Sequence, residues 1–187
     1  MVRARDAPFE YHLPVGLDTT KVMNNRSIRE HTHRLKPEDY IGRRSVAFTA
    51  CVEGRERIFN DPDIIEAFVP ILGRSAERFG CAVPIYTFMP DHLHVLMIGE
   101  REDSDLKRAM VKFKAASGWW LYRNGPQVKL LGRFWDHVVR EFEGWRSQAR
   151  YIAANLCRAG LCKDVFDWPH TGTIGFNLNE VLQYTFW

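Results

Sequence analysis

Two histidines flank one leucine in the run Phe88-Met89-Pro90-Asp91-His92-Leu93-His94-Val95-Leu96-Met97. The neighbours are apolar and β-prone, so the segment reads as a strand. Side chains two residues apart in a strand leave the same face, about 7 Å apart along the chain. One face therefore presents two imidazoles, while Leu93, Val95 and Met97 pack the other. Two imidazoles on one rigid face supply half of a divalent-cation site. The spacing alone is cheap. His31-Thr32-His33 repeats it in a polar, charged stretch without strand character and reads as solvated. What separates His92 and His94 from that run is the apolar strand and a second group of polar residues downstream.

That second group lies on the last long helix, expected over about Phe142 to Ala159. Trp145, Ala149, Ile152, Leu156 and Ala159 step by four, three, four and three and form the buried stripe. Gln148, Tyr151, Asn155 and Arg158 share the shoulder beside it. Residues four apart on a helix are neighbours. A helix lying near the histidine strand lets Asn155 offer an amide oxygen to the cation. Tyr151 then aims its hydroxyl at whatever the cation holds. Two imidazoles and one amide oxygen, with no thiolate, leave positions open for phosphate oxygens and water, a donor set suited to Mg²⁺ or Mn²⁺. The plain alternative for Tyr151 is an aromatic at a packing boundary.

These residues need a scaffold, and its elements are legible in order. Ser45 to Val52 reads as a strand. Asp61 caps a helix with Pro62 at its first position. Ile64, Ile65, Phe68 and Leu72 form its stripe, Pro70 kinks it and Gly80 ends it. Val83 to Phe88 and His92 to Ile98 form a hairpin across Pro90-Asp91. A helix from about Ser104 to Tyr122 turns Leu106, Met110, Phe113, Ser117 and Trp120 inward. Phe134 to Arg140 is a fourth strand. The pattern is α+β: a ferredoxin-like split βαβ with an antiparallel sheet, helices on one face and an added C-terminal helix that bears the tyrosine. Trp119, Trp120, Trp135 and Trp145 read as core before base-stacking platforms, with one exposed ring able to stack on an unpaired base as the alternative, and His137 reads as a packed strand residue. Residues 1–40 read as an N-terminal extension, 41–162 as the domain and 163–187 as an aromatic-rich tail.

The chain has 187 residues and a net charge of +3. Residues 101–160 hold 12 Lys and Arg against 6 Asp and Glu, an excess of +6 that leaves −3 elsewhere. A basic half on a nearly neutral chain points to a polyanion, nucleic acid before others, with a solvated helix face as the alternative. Arg101, Lys107, Arg108, Lys112 and Lys114 are the candidate phosphate contacts, with Arg140 and Arg158 further on. No apolar run approaches the roughly 18 residues of a membrane span. No signal-type core is present, so a cytoplasmic, non-membrane protein is expected. Cys51, Cys81, Cys157 and Cys162 form no Cys-x-x-Cys pair, which argues against structural zinc and a disulfide frame.

Several ordered blocks together resemble the single-tyrosine HUH transposases, most closely the REP-associated tyrosine transposases, over roughly residues 34–170. Arg34-Leu35-Lys36 with Tyr40, Phe48-Thr49 and Arg55-Glu56 look like the first block. Met89-Pro90-Asp91-His92-Leu93-His94 looks like the HUH block, with Asp91 where asparagine is usual. Arg133-Phe134-Trp135-Asp136-His137-Val138-Val139-Arg140 looks like the fourth-strand block. Tyr151-Ile152-Ala153-Ala154-Asn155 with Arg158-Ala159-Gly160-Leu161 looks like the tyrosine helix, with Leu156 replacing the usual proline. Asp167-Trp168-Pro169 matches a tail element.

The resemblance implies an HUH endonuclease fold and Tyr151 as nucleophile. It implies His92 and His94 as ligands of Mg²⁺ or Mn²⁺, and Asn155 as the third ligand. The implied reaction is cleavage and strand transfer of single-stranded DNA, often beside a hairpin, through a covalent 5′-phosphotyrosine that leaves a 3′ hydroxyl. A tyrosine phenol ionises only near pH 10 in water, so attack needs local help. Two other readings stand beside it: a catalytically idle protein that holds hairpin DNA, and a metal-dependent nuclease that uses water. Either a monomer or a homodimer is compatible with the sequence.

Overall fold

A computed structural model describes residues 35–130, 134–139 and 144–183. The His31-Thr32-His33 run, Arg133 and Arg140 lie outside the described residues, as does the side chain of His137.

Five strands form one antiparallel sheet in the order β4-β1-β3-β2-β5: β1 is Ser45–Cys51, β2 Cys81–Met89, β3 His92–Gly99, β4 Trp135–Val138 and β5 Thr171–Ile174. Helix α1 (Pro62–Arg78) links β1 to β2, and α2 (Leu106–Asn124) links β3 to β4. Helix α3 (Trp145–Arg158) follows β4, and the short α4 (Leu178–Leu182) follows β5. The first four strands carry the split βαβ order expected from the sequence. The surprise lies in the tail. Residues 171–174, expected as part of an aromatic-rich tail with no strand, pair with β2 and add the fifth strand.

Local chemistry explains where the elements begin. Asp61 caps α1 by accepting from the Asp63 amide, with Pro62 in the first turn, where a missing N–H costs nothing. Asp105 caps α2 by accepting from the Arg108 amide at 2.9 Å. The hairpin turn is tied from outside: the Val52 amide donates to the Asp91 carbonyl at 2.9 Å and the Phe59 amide to the Pro90 carbonyl at 3.1 Å. That pins the residues just before His92.

The two faces of the sheet are packed differently. Val46, Phe48 and Ala50 of β1 and Val52 just after it, with Leu93, Val95 and Met97 of β3, face α1 and α2. Phe59, Phe68, Phe88 and Phe113 interlock there edge-to-face, centroids 4.9–6.4 Å apart. Each fully buried ring of this kind contributes about 1.5–3 kcal/mol. Packing begins ahead of β1, with Tyr40 buried and Leu35 against the same cluster. The opposite face carries Ala47, Ile85, Leu96 and Val139, covered by Ala149, Ile152 and Ala153 of α3 and by Val181 of α4.

The tyrosine helix therefore lies on the sheet face opposite α1 and α2, not beside them. Its buried stripe is Ala149, Ile152, Ala153 and Leu156; Ala159, expected to extend it, is exposed. Trp119 and Trp135, expected in the core, are also exposed: α2 turns Trp119 outward, and among the described residues no element covers the Trp135 end of β4. All four cysteines are free.

Candidate functional site

His92 and His94 leave β3 on the face that α3 covers. Their Nε2 atoms approach to 3.1 Å, with the rings edge-to-face. Each ring is held from behind. The His92 Nδ1–H donates to Asp91 Oδ1 at 2.6 Å, and His94 Nδ1 lies 2.8 Å from Thr49 Oγ1. Thr49 is the residue directly opposite His94 in the β1–β3 register. Asp91 is anchored in turn by Arg55, whose Nη1 donates to Oδ2 at 3.1 Å. The Asp91 carboxylate, which can only accept, fixes the His92 tautomer, and the Thr49 hydroxyl holds the orientation of the His94 ring, as such partners do for imidazoles that bind metals. Both Nε2 atoms are thereby aimed at one point.

The electrostatics agree. Burial alone would raise the Asp91 carboxyl; the hydrogen bond and charge of His92, with Arg55 behind them, outweigh it and hold Asp91 below its usual range. Burial, then the neighbouring His92 and Arg158, push His94 down to about 4. His94 is consequently a neutral imidazole at neutral pH, the charge state a metal ligand requires.

Helix α3 brings its polar shoulder to this face. Tyr151 is 48% exposed. Arg158 organises the shoulder: its Nη2 donates to the Tyr151 carbonyl at 2.8 Å and to Asn155 Oδ1 at 2.6 Å, while its guanidinium lies 4.3 Å from the Tyr151 ring centroid. The influence of Arg158 on His94 links the helix to the histidine pair. The structure thus places Tyr151, Asn155 and Arg158 on the sheet face of the two histidines. Among the described residues no group of three or more His, Cys, Asp or Glu side chains is placed to hold a metal.

The expected basic contacts fall elsewhere. Lys107, Arg108, Lys112 and Lys114 ride on α2, behind the sheet from the histidines. Lys107 covers the Tyr40 ring, Arg108 the Phe79 ring and Lys114 the Phe134 ring, and Lys112 lines a groove with Arg74, Trp119 and Trp120. Arg101 sits past the far end of β3 and pairs with Asp103 at 3.2 Å. Of the described candidates, only Arg158 stands at the histidine site. Sequence reasoning had not singled out Thr49 as a partner of His94; period-two alternation on β1 could have placed it on one of two faces but not opposite a given residue.

The tail also meets this region. Trp168 Nε1 donates to the Phe88 carbonyl at 2.9 Å, the Phe88 amide donates to the His170 carbonyl at 3.0 Å, and the Thr87 and Thr171 hydroxyls lie 3.1 Å apart. The Asp167-Trp168-Pro169 element therefore braces the strand before the histidine turn.

Comparison with known proteins identifies the family. Residues 43–140 match the family described as transposase IS200-like. The chain is 26% identical over 84 residues to the REP-associated tyrosine transposase of Escherichia coli K12, a match covering 45% of this chain and 49% of that protein. It is 24% identical over 135 residues to a Haemophilus influenzae protein that carries the same designation provisionally, covering 66% of this chain and 76% of the other. The chain thus spans about half the length of the first of these relatives. A solved REP-associated tyrosine transposase bound to a REP hairpin superposes with a TM-score of 0.60 at 20% identity, over 74% of this chain and 79% of that one, and shares its fold. With the family match running from just before β1 through β4, the chain belongs to the IS200-like transposases.

Proposed function

We propose that this chain cleaves and rejoins single-stranded DNA through a covalent 5′-phosphotyrosine on Tyr151, with His92, His94 and Asn155 holding Mg²⁺ or Mn²⁺. One observation carries the reading: two imidazoles whose Nε2 atoms converge to 3.1 Å, each locked at Nδ1, on the sheet face that α3 covers with the exposed Tyr151. Two nitrogens bound at right angles about 2.1 Å from one ion stand about 3.0 Å apart, so the pair fits a single cation. Oxygen and nitrogen donors without thiolate favour Mg²⁺ or Mn²⁺. When bound, such a cation offsets the charge of the phosphodiester and orients it.

The chain's own residues do the rest. Tyr151 Oη forms a bond to phosphorus and releases its proton to solvent. The bond from phosphorus to the 3′ oxygen of the preceding nucleotide breaks, and that oxygen leaves as a hydroxyl after taking up a proton. The ester keeps the bond energy, so a 3′ hydroxyl attacking the phosphotyrosine reverses the step and rejoins a strand. Arg158 has a second task. A phosphate oxygen that draws its guanidinium away frees the Asn155 amide oxygen and uncovers the Tyr151 ring together. The substrate proposed is single-stranded DNA flanking a hairpin, by analogy with the hairpin-bound relative.

Incubation with end-labelled single-stranded DNA and Mn²⁺ tests this. A denaturation-resistant adduct that disappears in Tyr151→Phe is the expected result. An adduct that survives Tyr151→Phe refutes the nucleophile. Cleavage that persists in Tyr151→Phe without an adduct identifies water as the nucleophile. Tight hairpin binding with neither cleavage nor adduct identifies an idle DNA-binding protein.

A further inference from the structure

Trp135 stands in line with the histidine pair. The register runs Thr171–Thr87–His94–Thr49–Trp135 across all five strands, each directly opposite the next. Residues directly opposite one another in an antiparallel sheet share a face. Trp135 therefore emerges on the face of His94, two strands away, or about 10 Å at the ordinary strand spacing. On this face α3 buries Val139 of the same chain segment, together with Ala47 and Leu96, and Trp135 is not part of that cluster. Trp135 is 59% exposed, and among the described residues no other ring or cation stacks on it.

Trp119 and Tyr122 are as open, but they ride on α2 behind the sheet; Trp135 alone of the three joins exposure to a place in the row of His94. We infer that Trp135 is a stacking platform for one unpaired base of the DNA strand whose phosphate sits at His92 and His94. This rests on the function proposed above and adds a subsite to it. The surroundings favour a base over a protein partner. The rest of the row is polar, threonine and histidine, so the ring is isolated rather than part of an apolar patch. A stable protein interface needs roughly 800 Å² from each side. A nucleobase needs only a flat π face of its own size, with polar groups at its edges. The distance from His94 suits a base one or two nucleotides from the reacting phosphate. Stacking accepts every base, so Trp135 would set the position and path of the strand rather than its sequence.

The test uses the full chain and a set of fluorescently labelled single-stranded oligonucleotides, each with one abasic position stepped along the strand. Binding is read by anisotropy, and self-association by sedimentation. Base–aromatic stacking of about 1–3 kcal/mol per base converts to roughly a 5- to 150-fold change in affinity. One abasic position should weaken wild-type binding by that factor. Trp135→Leu, which keeps apolar bulk without a π face, should bind the intact strand as weakly and lose sensitivity to that position. Trp135→Phe should retain most of both. Unchanged affinity in Trp135→Leu, or undiminished sensitivity at the same position, overturns the proposal while leaving the proposed function standing. A loss that follows a change in self-association overturns it in favour of a second copy of the chain. A wild-type protein that binds no oligonucleotide overturns both readings together.

Discussion

The depressed basicity of His94 makes the metal-free protein sensitive to acid in a defined window. Its imidazole is held at about 4 by burial, then by His92 and Arg158, against 6.5 when unfolded. The unfolded chain therefore binds a proton that the folded chain refuses between these values, and stability falls as pH falls through them. The whole shift corresponds to about 3 kcal/mol. Between about pH 7 and about pH 5 the loss comes to about 2 kcal/mol. His94→Gln removes the titrating group while keeping a polar side chain. Urea unfolding of both proteins at the two pH values, with a chelator present, isolates the effect. His170 is also lowered by burial and acts in the same direction, but it is common to both proteins and cancels. The variant should lose about 2 kcal/mol less than the wild type on acidification. Identical losses would refute the claim that the fold holds His94 neutral, and with it the argument that a cation meets an uncharged imidazole there.

Two other outcomes follow from the geometry. Thr49→Val deletes the hydroxyl 2.8 Å from His94 Nδ1 without changing side-chain shape, and should weaken Mn²⁺ binding by roughly 10- to 100-fold in calorimetry, with stability little altered. Gly99→Ala would place a methyl carbon 1.9 Å from the Gly42 carbonyl oxygen and 3.0 Å from Ser104 Cβ, so β3 must shift against backbone; a loss of about 2–3 kcal/mol in urea unfolding is expected.

What was legible in the sequence depended on whether the signal was local. Alternation along β3 placed both histidines on one face and Leu93, Val95 and Met97 on the other, because a strand's period is carried by the strand itself. The caps at Asp61 and the stripe of α3 were local in the same way. The stripe shows that α3 buries a face, yet not which side of the sheet receives it. That choice depends on Ala47, Ile85 and Leu96, far away in sequence. Thr49 could be paired with His94 only through register, which no single strand encodes. Strand β5 escaped notice because Thr171-Gly172-Thr173-Ile174 lacks alternation. Its glycine serves a close approach instead: a Cβ there would lie 2.4 Å from the Tyr86 hydroxyl. Tryptophan is so often interior that Trp119 and Trp135 were assigned to the core on residue type alone.

The unequal layering of the sheet has a wider consequence. The interlocked phenylalanines lie on the side of α1 and α2, whereas the histidine side is roofed by a helix seated on alanines and a few branched residues. Reactive groups riding on that roof can be exchanged, re-angled or lost over evolutionary time without endangering the scaffold beneath.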